Sequence, residues 1–235
     1  MKAHEIKAVI TGGTAGIGLA MAKVIIAAGG KAAVCGRNPD RVKALNEAGI
    51  PAFVADVTSE SQMREFLSAV VSEWGAYNVL VNNAAYGHFA PLTDLRTEDF
   101  EALLKVDVLG AMICGQLAAR YFIEQGGGNI VNISSTAGLS GFPGGTAYVA
   151  AKFALRGMTE CWRAELRKHH VRVMLINPSE VQTTFYINSG LGDRSHNPTK
   201  LQADDIAHTL LSMLLMDDRG FITEATVFAT NPQNV

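Results

Sequence analysis

The chain has 235 residues, 48% hydrophobic and 18% charged, with 20 Lys and Arg against 22 Asp and Glu and a formal net charge of −2. That balance suits a globular protein and lacks the basic footprint that phosphate-backbone binding requires, so no nucleic-acid partner is expected. Glu5 and Lys7 break the N-terminal apolar run, and Lys or Gly interrupts the longer ones well short of the roughly 18 residues of a membrane span, so neither export nor membrane anchoring is expected.

In chain order, IKAVIT (6–11), KAAVCG (31–36), PAFVAD (51–56), NVLVN (78–82), NIVNIS (129–134) and VRVMLIN (171–177) read as strands buried on both faces, and TVFAT (226–230) as a seventh. Helical patterns lie between them. The first carries Ile17, Ala20, Met21, Val24, Ile25 and Ala28 on one stripe. A second opens at Ser59-Glu60-Ser61-Gln62, a capping-box arrangement, and runs to Trp74. A third starts at Thr97-Glu98-Asp99, where acidic residues suit the positive end of a helix. Such alternation predicts one domain over 1–235, a parallel sheet with helices on both faces. The polar, turn-rich stretch 190–200 is expected to be a mobile loop. Cys35, Cys114 and Cys161 are odd in number and widely spaced, which predicts buried, reduced thiols in a cytoplasmic protein.

TGGTAGIG (11–18) places glycines at 12, 13, 16 and 18 between the first strand and the first helix. A turn without Cβ atoms lets backbone approach a dinucleotide's phosphates at a helix N-terminus, although a plain tight turn would use the same residues. Further marks follow: Asp56-Val57, Asn82-Asn83-Ala84-Ala85, Ser135, Tyr148 with Lys152 four positions on, and Asn177-Pro178 with Thr183. Taken in this order, they resemble the short-chain dehydrogenase/reductase family across nearly the whole chain. The resemblance implies a Rossmann-like doubly wound α/β fold and catalysis by Ser135, Tyr148 and Lys152. It also implies a nicotinamide dinucleotide held by Gly12, Thr14, Gly16, Ile17, Gly18, Arg37, Asn38, Asp56, Val57, Asn83, Ala84, Ala85, Tyr148, Lys152, Pro178, Val181 and Thr183. Relatives assemble through the helices corresponding to 97–123 and 147–168, so a homodimer or homotetramer is expected.

Tyr148 and Lys152 share one helix face, and a lysine cation there is expected to lower a phenol pKa that is ordinarily near 10. Tyr148 then serves as acid for carbonyl reduction or base for the reverse, with Ser135 holding the substrate oxygen. Asp107 stands where the family has a catalytic asparagine; it either serves in that place, with a charge near Lys152 that favours the lysine cation and opposes ionisation of Tyr148, or caps a helix kink. Ala85 and Ser179 also replace family glycines. The six histidines show no ligand spacing, His169 and His170 are expected in a turn, and no metal is expected.

The second strand ends Gly36-Arg37-Asn38, with glycine where NAD-preferring relatives carry an acid and an arginine suited to a 2′-phosphate. NADP(H) is therefore expected, unless Arg37 is only a solvated charge; Ala15 stands where many such relatives have a second basic residue. His88, Phe89, Leu139, Phe142, Phe185, Tyr186, Ile187 and Leu191 predict a mostly apolar ketone or aldehyde as substrate, or packing beneath loops. Two alternatives stay open: a non-catalytic NADP(H)-sensing protein of the same fold, and an NAD-dependent alcohol or sugar dehydrogenase.

Overall fold

Strands form where β-branched apolar residues run together: β1 (Lys7–Thr11), β2 (Lys31–Gly36), β3 (Ala52–Val54), β4 (Val79–Asn82), β5 (Gly128–Ile133) and β6 (Val171–Pro178). The computed structural model describes residues 1–185, 189 and 197–231. With β9 (Glu224–Val227), these strands make a seven-stranded parallel sheet in the order β3-β2-β1-β4-β5-β6-β9. Successive residues serve opposite faces: Ala8 and Ile10 join a core with Met21, Ile25, Ile206 and Leu210, while Val9 joins one with Phe66, Leu117 and Phe122. The sheet is thus sandwiched by α1 (Gly16–Ala27) and α7 (Ala203–Leu214) on one side and by α3 (Glu60–Trp74), α5 (Ala111–Gln125) and α6 (Thr146–Leu166) on the other. Among the described residues the remaining α-helices are α2 (Pro39–Glu47) and α4 (Thr97–Leu104).

Several details differ from the sequence-based expectations. The last strand lies at 224–227 rather than 226–230, because Glu224 is drawn into the edge by Asn177 Nδ2 (2.7 Å) and Arg156 (3.4 Å), which leaves Phe228 exposed. A two-stranded parallel pair, β7 (Val181–Gln182) with β8 (Leu201–Gln202), has no signal in the pattern. Ser59 accepts the Gln62 N–H at 3.5 Å, but Gln62 Oε1 accepts from Asp56 N, so the reciprocal half of the capping box is absent. Cys35 and Cys114 are buried as expected, whereas Cys161 is exposed on α6. Burial pushes the Cys35 thiol up to about 12, which leaves it inert. The run Thr97–Gln125 is one continuous helix, long and apolar enough to cross a membrane by length and composition. Leu117, Ala118 and Phe122 nevertheless pack it against the sheet, the behaviour of a core helix. His169 and His170 form the expected turn, His170 in the left-handed region at φ 57°. Of the loop 190–200, residues 190–196 lie outside the described residues; Lys200 is tied to Glu180 at 2.9 Å.

A polar ladder fixes the strands beneath the cleft. Asn82 Nδ2 donates to Asn132 Oδ1 (2.9 Å), and Asn132 Nδ2 donates to Thr159 Oγ1 (2.8 Å), linking β4, β5 and α6 through buried side chains.

Candidate active site

The strand order reverses between β1 and β4, and loops leaving their C-terminal ends must diverge, which opens a crevice there. A cleft of about 1220 Å³ occupies that place. One wall is the glycine turn: Gly12 (φ +62°) and Gly16 (φ +54°) hold backbone conformations that side-chain-bearing residues resist. A Cβ at Gly12 would fall 2.7 Å from Ala84 Cα. Ala15, the N-cap of α1, has no side-chain acceptor, so the first-turn N–H groups are left to an anionic ligand.

The turn is braced from behind. Thr11 Oγ1 donates to Val81 O (3.3 Å) and accepts the N–H groups of Asn83 and Ala84 (3.1 Å each). Asn83 lines the cleft as expected, and its Nδ2 braces the turn by donating to Thr11 O (3.0 Å) and Gly12 O (3.2 Å). Gly18 does not line the cleft, contrary to expectation. A Cβ there would fall 2.5 Å from Asn83 Nδ2 and 2.8 Å from Gly13 Cα, so this glycine is needed for packing.

At one end, Gly36, Arg37, Asn38, Arg41, Asp56, Val57, Thr58 and Lys105 line the cleft. A Cβ at Gly36 would lie 2.7 Å from Thr14 Oγ1, so no acidic side chain fits while Thr14 stays in place. Asn38 Oδ1 accepts the Arg41 N–H (2.9 Å) and caps α2, leaving only the amide side of that carboxamide for a ligand. Burial would raise the Asp56 carboxyl, but bonds from Thr58 N (2.9 Å) and Thr58 Oγ1 (2.8 Å), with Arg37 and Lys105 nearby, hold it below its ordinary value. Arg41 and Lys105 were not foreseen from sequence. Arg41 had a signal, since it stands four residues after Arg37 on a helix opened by Pro39.

At the other end, Ser135 follows β5 and caps a 3-10 turn by accepting Ala137 N–H (3.1 Å). Tyr148 and Lys152 project from the first turns of α6, with the Ser135 side chain acting on the phenol. Lys152 Nζ lies 5.4 Å from the Tyr148 ring centre, 3.2 Å from Asp107 Oδ2 and 3.4 Å from Ile133 O. Asp107 belongs to a π-helical segment, Lys105–Gly110, between α4 and α5. It is 2% exposed, lies behind Lys152 rather than on the cleft wall, and its Oδ1 accepts the Tyr86 N–H at 3.1 Å. Asp107 thus lies within a helix irregularity but caps no helix end, and its charge stands beside Lys152 as expected.

The expected lowering of the Tyr148 pKa is not found. Burial raises it and the Asp107 charge adds to the rise, outweighing the lowering by Lys152 and Ser135. Burial alone would lower Lys152, yet Asp107 holds its ammonium above the ordinary value. Burial in turn pushes the Asp107 carboxyl up against the pull of Lys152.

Phe89 and Phe185 flank the Tyr148 ring at 5.5 and 5.6 Å between centres, and Phe142 lies 6.1 Å from Phe89. All three line the cleft with Tyr86, Ser140 and Pro143. His88 and Leu139 do not line it; His88 lies 3.8 Å from Asp99 instead. Tyr186, Ile187 and Leu191 lie outside the described residues. Thr14, Ile17, Ala84, Ala85, Pro178, Val181 and Thr183 complete the expected wall.

A family profile described as short chain dehydrogenase matches residues 7–191. The chain belongs to this family. Within it, an uncharacterized oxidoreductase of Staphylococcus epidermidis is 30% identical over 229 residues, covering 96% of this chain and 98% of that protein. The 3-oxoacyl-(acyl-carrier-protein) reductase of Thermotoga maritima is 35% identical over 182 residues, 74% of this chain and 73% of that one. Among solved structures, a serine dehydrogenase complexed with NADP+ superposes with a TM-score of 0.88 at 26% identity, covering 94% of each chain. The protein ElxO with NADP bound gives a TM-score of 0.84 at 27% identity, covering 95% of this chain and 97% of that one. Membership of the short-chain dehydrogenases makes the protein an oxidoreductase with a nicotinamide cofactor, and the Cβ-free cradle at Gly12 and Gly16 fits that group.

Proposed function

We propose that this protein is an NADP(H)-dependent reductase of ketones or aldehydes, similar in reaction to the 3-oxoacyl reductases. One observation carries this reading: a single cleft has Tyr148, Ser135 and Lys152 at one end and, at the other, two arginines beside a β2 end that carries glycine rather than an acid. Guanidinium groups match a 2′-phosphate with charge-assisted bonds, and Gly36 places no carboxylate at the end of β2, where one would compete for the ribose. NADP on two similar structures supports the same choice.

A bound reduced nicotinamide supplies hydride to the carbonyl carbon. Ser135 donates a hydrogen bond to the carbonyl oxygen and fixes its position. Tyr148 passes its phenolic proton to that oxygen and regains one from solvent. Lys152 is placed to bind the nicotinamide ribose and to stabilise the transient tyrosinate. Phe89, Phe142 and Phe185 form an apolar approach, which favours a carbonyl on an uncharged, hydrophobic body. We further assign the protein to the cytoplasm as a homo-oligomer. Leu109, Ile123 and Phe153, exposed on the π segment, α5 and α6, supply apolar surface for association.

The test is to incubate the protein with NADPH, then NADH, across ketones, aldehydes and quinones. Turnover with NADPH that Tyr148→Phe abolishes, with cofactor binding retained, is expected. Tight NADPH binding with no turnover on any carbonyl would contradict the reading and point to nucleotide sensing.

A further inference from the structure

Three groups of opposite and neutral charge run back from the cleft wall: the Tyr148 phenol and the Lys152 ammonium on it and the Asp107 carboxylate behind them. The ammonium bridges the other two, 5.4 Å from the phenol ring centre and 3.2 Å from Asp107 Oδ2. Lys152 and Asp107 are each at most 2% exposed, and the Tyr86 N–H fixes the carboxylate from the far side at 3.1 Å. The groups facing Tyr148 come from five segments: Lys152 on its own helix, Asp107 on the π segment, Ser135 after β5, and the uncharged rings of Phe89 after β4 and Phe185 after β7. Asp107 faces Lys152 and the Tyr86 loop, while the neighbouring Lys105 acts on Asp56 at the opposite end.

Charge counting decides the consequence. With Asp107 ionised, the set of protonated phenol, ammonium and carboxylate is neutral. Losing the phenolic proton leaves one uncompensated negative charge in a desolvated cluster, which is costly. With a neutral residue at position 107, the same loss produces a balanced tyrosinate–ammonium pair. The lysine that would activate Tyr148 as a base is thus already committed.

We propose that Asp107 is a positioning residue which, acting through Lys152, keeps Tyr148 a proton donor through neutral and alkaline pH and so fits the enzyme to carbonyl reduction rather than alcohol oxidation. This rests on the reductase reading above. The sign is as follows: reduction needs the protonated phenol and fails as pH rises through its ionisation, whereas oxidation needs the tyrosinate and rises through the same ionisation. Asp107 moves both limbs to higher pH. The overall equilibrium is untouched; only the pH range over which each direction is catalysed changes.

The test is Asp107→Asn, which keeps an oxygen for the Tyr86 N–H, with Asp107→Ser as a second neutral variant should the first misfold. The ultraviolet absorbance of tyrosinate is titrated in each protein without cofactor or substrate, against the same protein carrying Tyr148→Phe. The difference isolates Tyr148 from the other four tyrosines. Removing the charge is expected to move the Tyr148 ionisation down by about one pH unit or more, a tenfold gain in tyrosinate at fixed pH. The alkaline limb of kcat/KM for reduction should move with it while the Kd for NADPH stays unchanged. A Tyr148 that ionises at the same or a higher pH in both variants would overturn the proposal. A downward titration in a protein that reduces no carbonyl would support the charge coupling and overturn the reductase reading instead.

Discussion

Arg37 lies on the exposed rim of the cleft, past the end of β2, with Arg41 one helical turn further on. Replacing Arg37 by Ala removes a charge-assisted contact to a 2′-phosphate, a type of bond that contributes about 1.5–3 kcal/mol. Solvent screening at an exposed site reduces this to about 1–2 kcal/mol, roughly a 5- to 30-fold rise in Kd for NADPH. NADH carries no 2′-phosphate, so its Kd should change by less than about twofold. Arg41→Ala is expected to act in the same direction, and the double variant to erase most of the preference. The assay is titration of nucleotide fluorescence at two salt concentrations, since the NADPH affinity of the wild type should weaken with ionic strength and that of Arg37→Ala less so. Equal loss of affinity for both nucleotides would refute the phosphate assignment and leave Arg37 a solvated charge.

Gly36→Asp alone should bind neither nucleotide well, because its Cβ would fall 2.7 Å from Thr14 Oγ1, whereas Gly36→Asp with Thr14→Ala should favour NADH; competition binding of the two nucleotides checks this. Gly18→Ala places a methyl 2.8 Å from Gly13 Cα and 2.9 Å from Gly12 O, backbone atoms that cannot step aside, and overpacking of this kind costs about 1–3 kcal/mol. A lowered Tm and weakened dinucleotide binding are expected together in calorimetry. Lys152→Met leaves the Asp107 carboxylate buried and unpaired, at a cost of up to about 3–5 kcal/mol. Its folded-state pKa then rises further above the unfolded value of about 3.9, so the variant should bind a proton on folding and lose stability as pH rises from about 4 through that raised pKa. Denaturant melts at pH 5 and pH 8 report the sign, and Lys152→Met with Asp107→Asn should flatten the dependence.

The architecture was legible because its signals are local. Ala8, Val9 and Ile10 form a continuous apolar run, and such a run buried on both faces can only be an inner strand of a covered parallel sheet. The glycine turn, Ser135 and the Tyr148–Lys152 pair lie at spacings fixed by strand ends and one helix face, so order along the chain was enough to place them. What escaped depends on partners distant in sequence. Gly18 looked like a phosphate contact, but its neighbour is Asn83, brought across from β4. The opposing pulls of Lys152 and Asp107 on Tyr148 were legible, but the net direction was not, because it is decided first by burial of the phenol, which only the packed structure shows. Arg41 escaped although it lies close in sequence, in the first turn of the helix that follows Arg37. The β7–β8 pair is two residues per strand, too short to leave a pattern.

Crystals soaked with NADPH give the most direct measurement, since the account requires one pocket to gather cofactor and proton donor. The predicted result is pyrophosphate on the N-terminus of α1, the 2′-phosphate against Arg37 and Arg41, and Lys152 on the nicotinamide ribose with the Tyr148 hydroxyl open to the face beside the ring. A dinucleotide bound with its nicotinamide outside the reach of Tyr148 would contradict it.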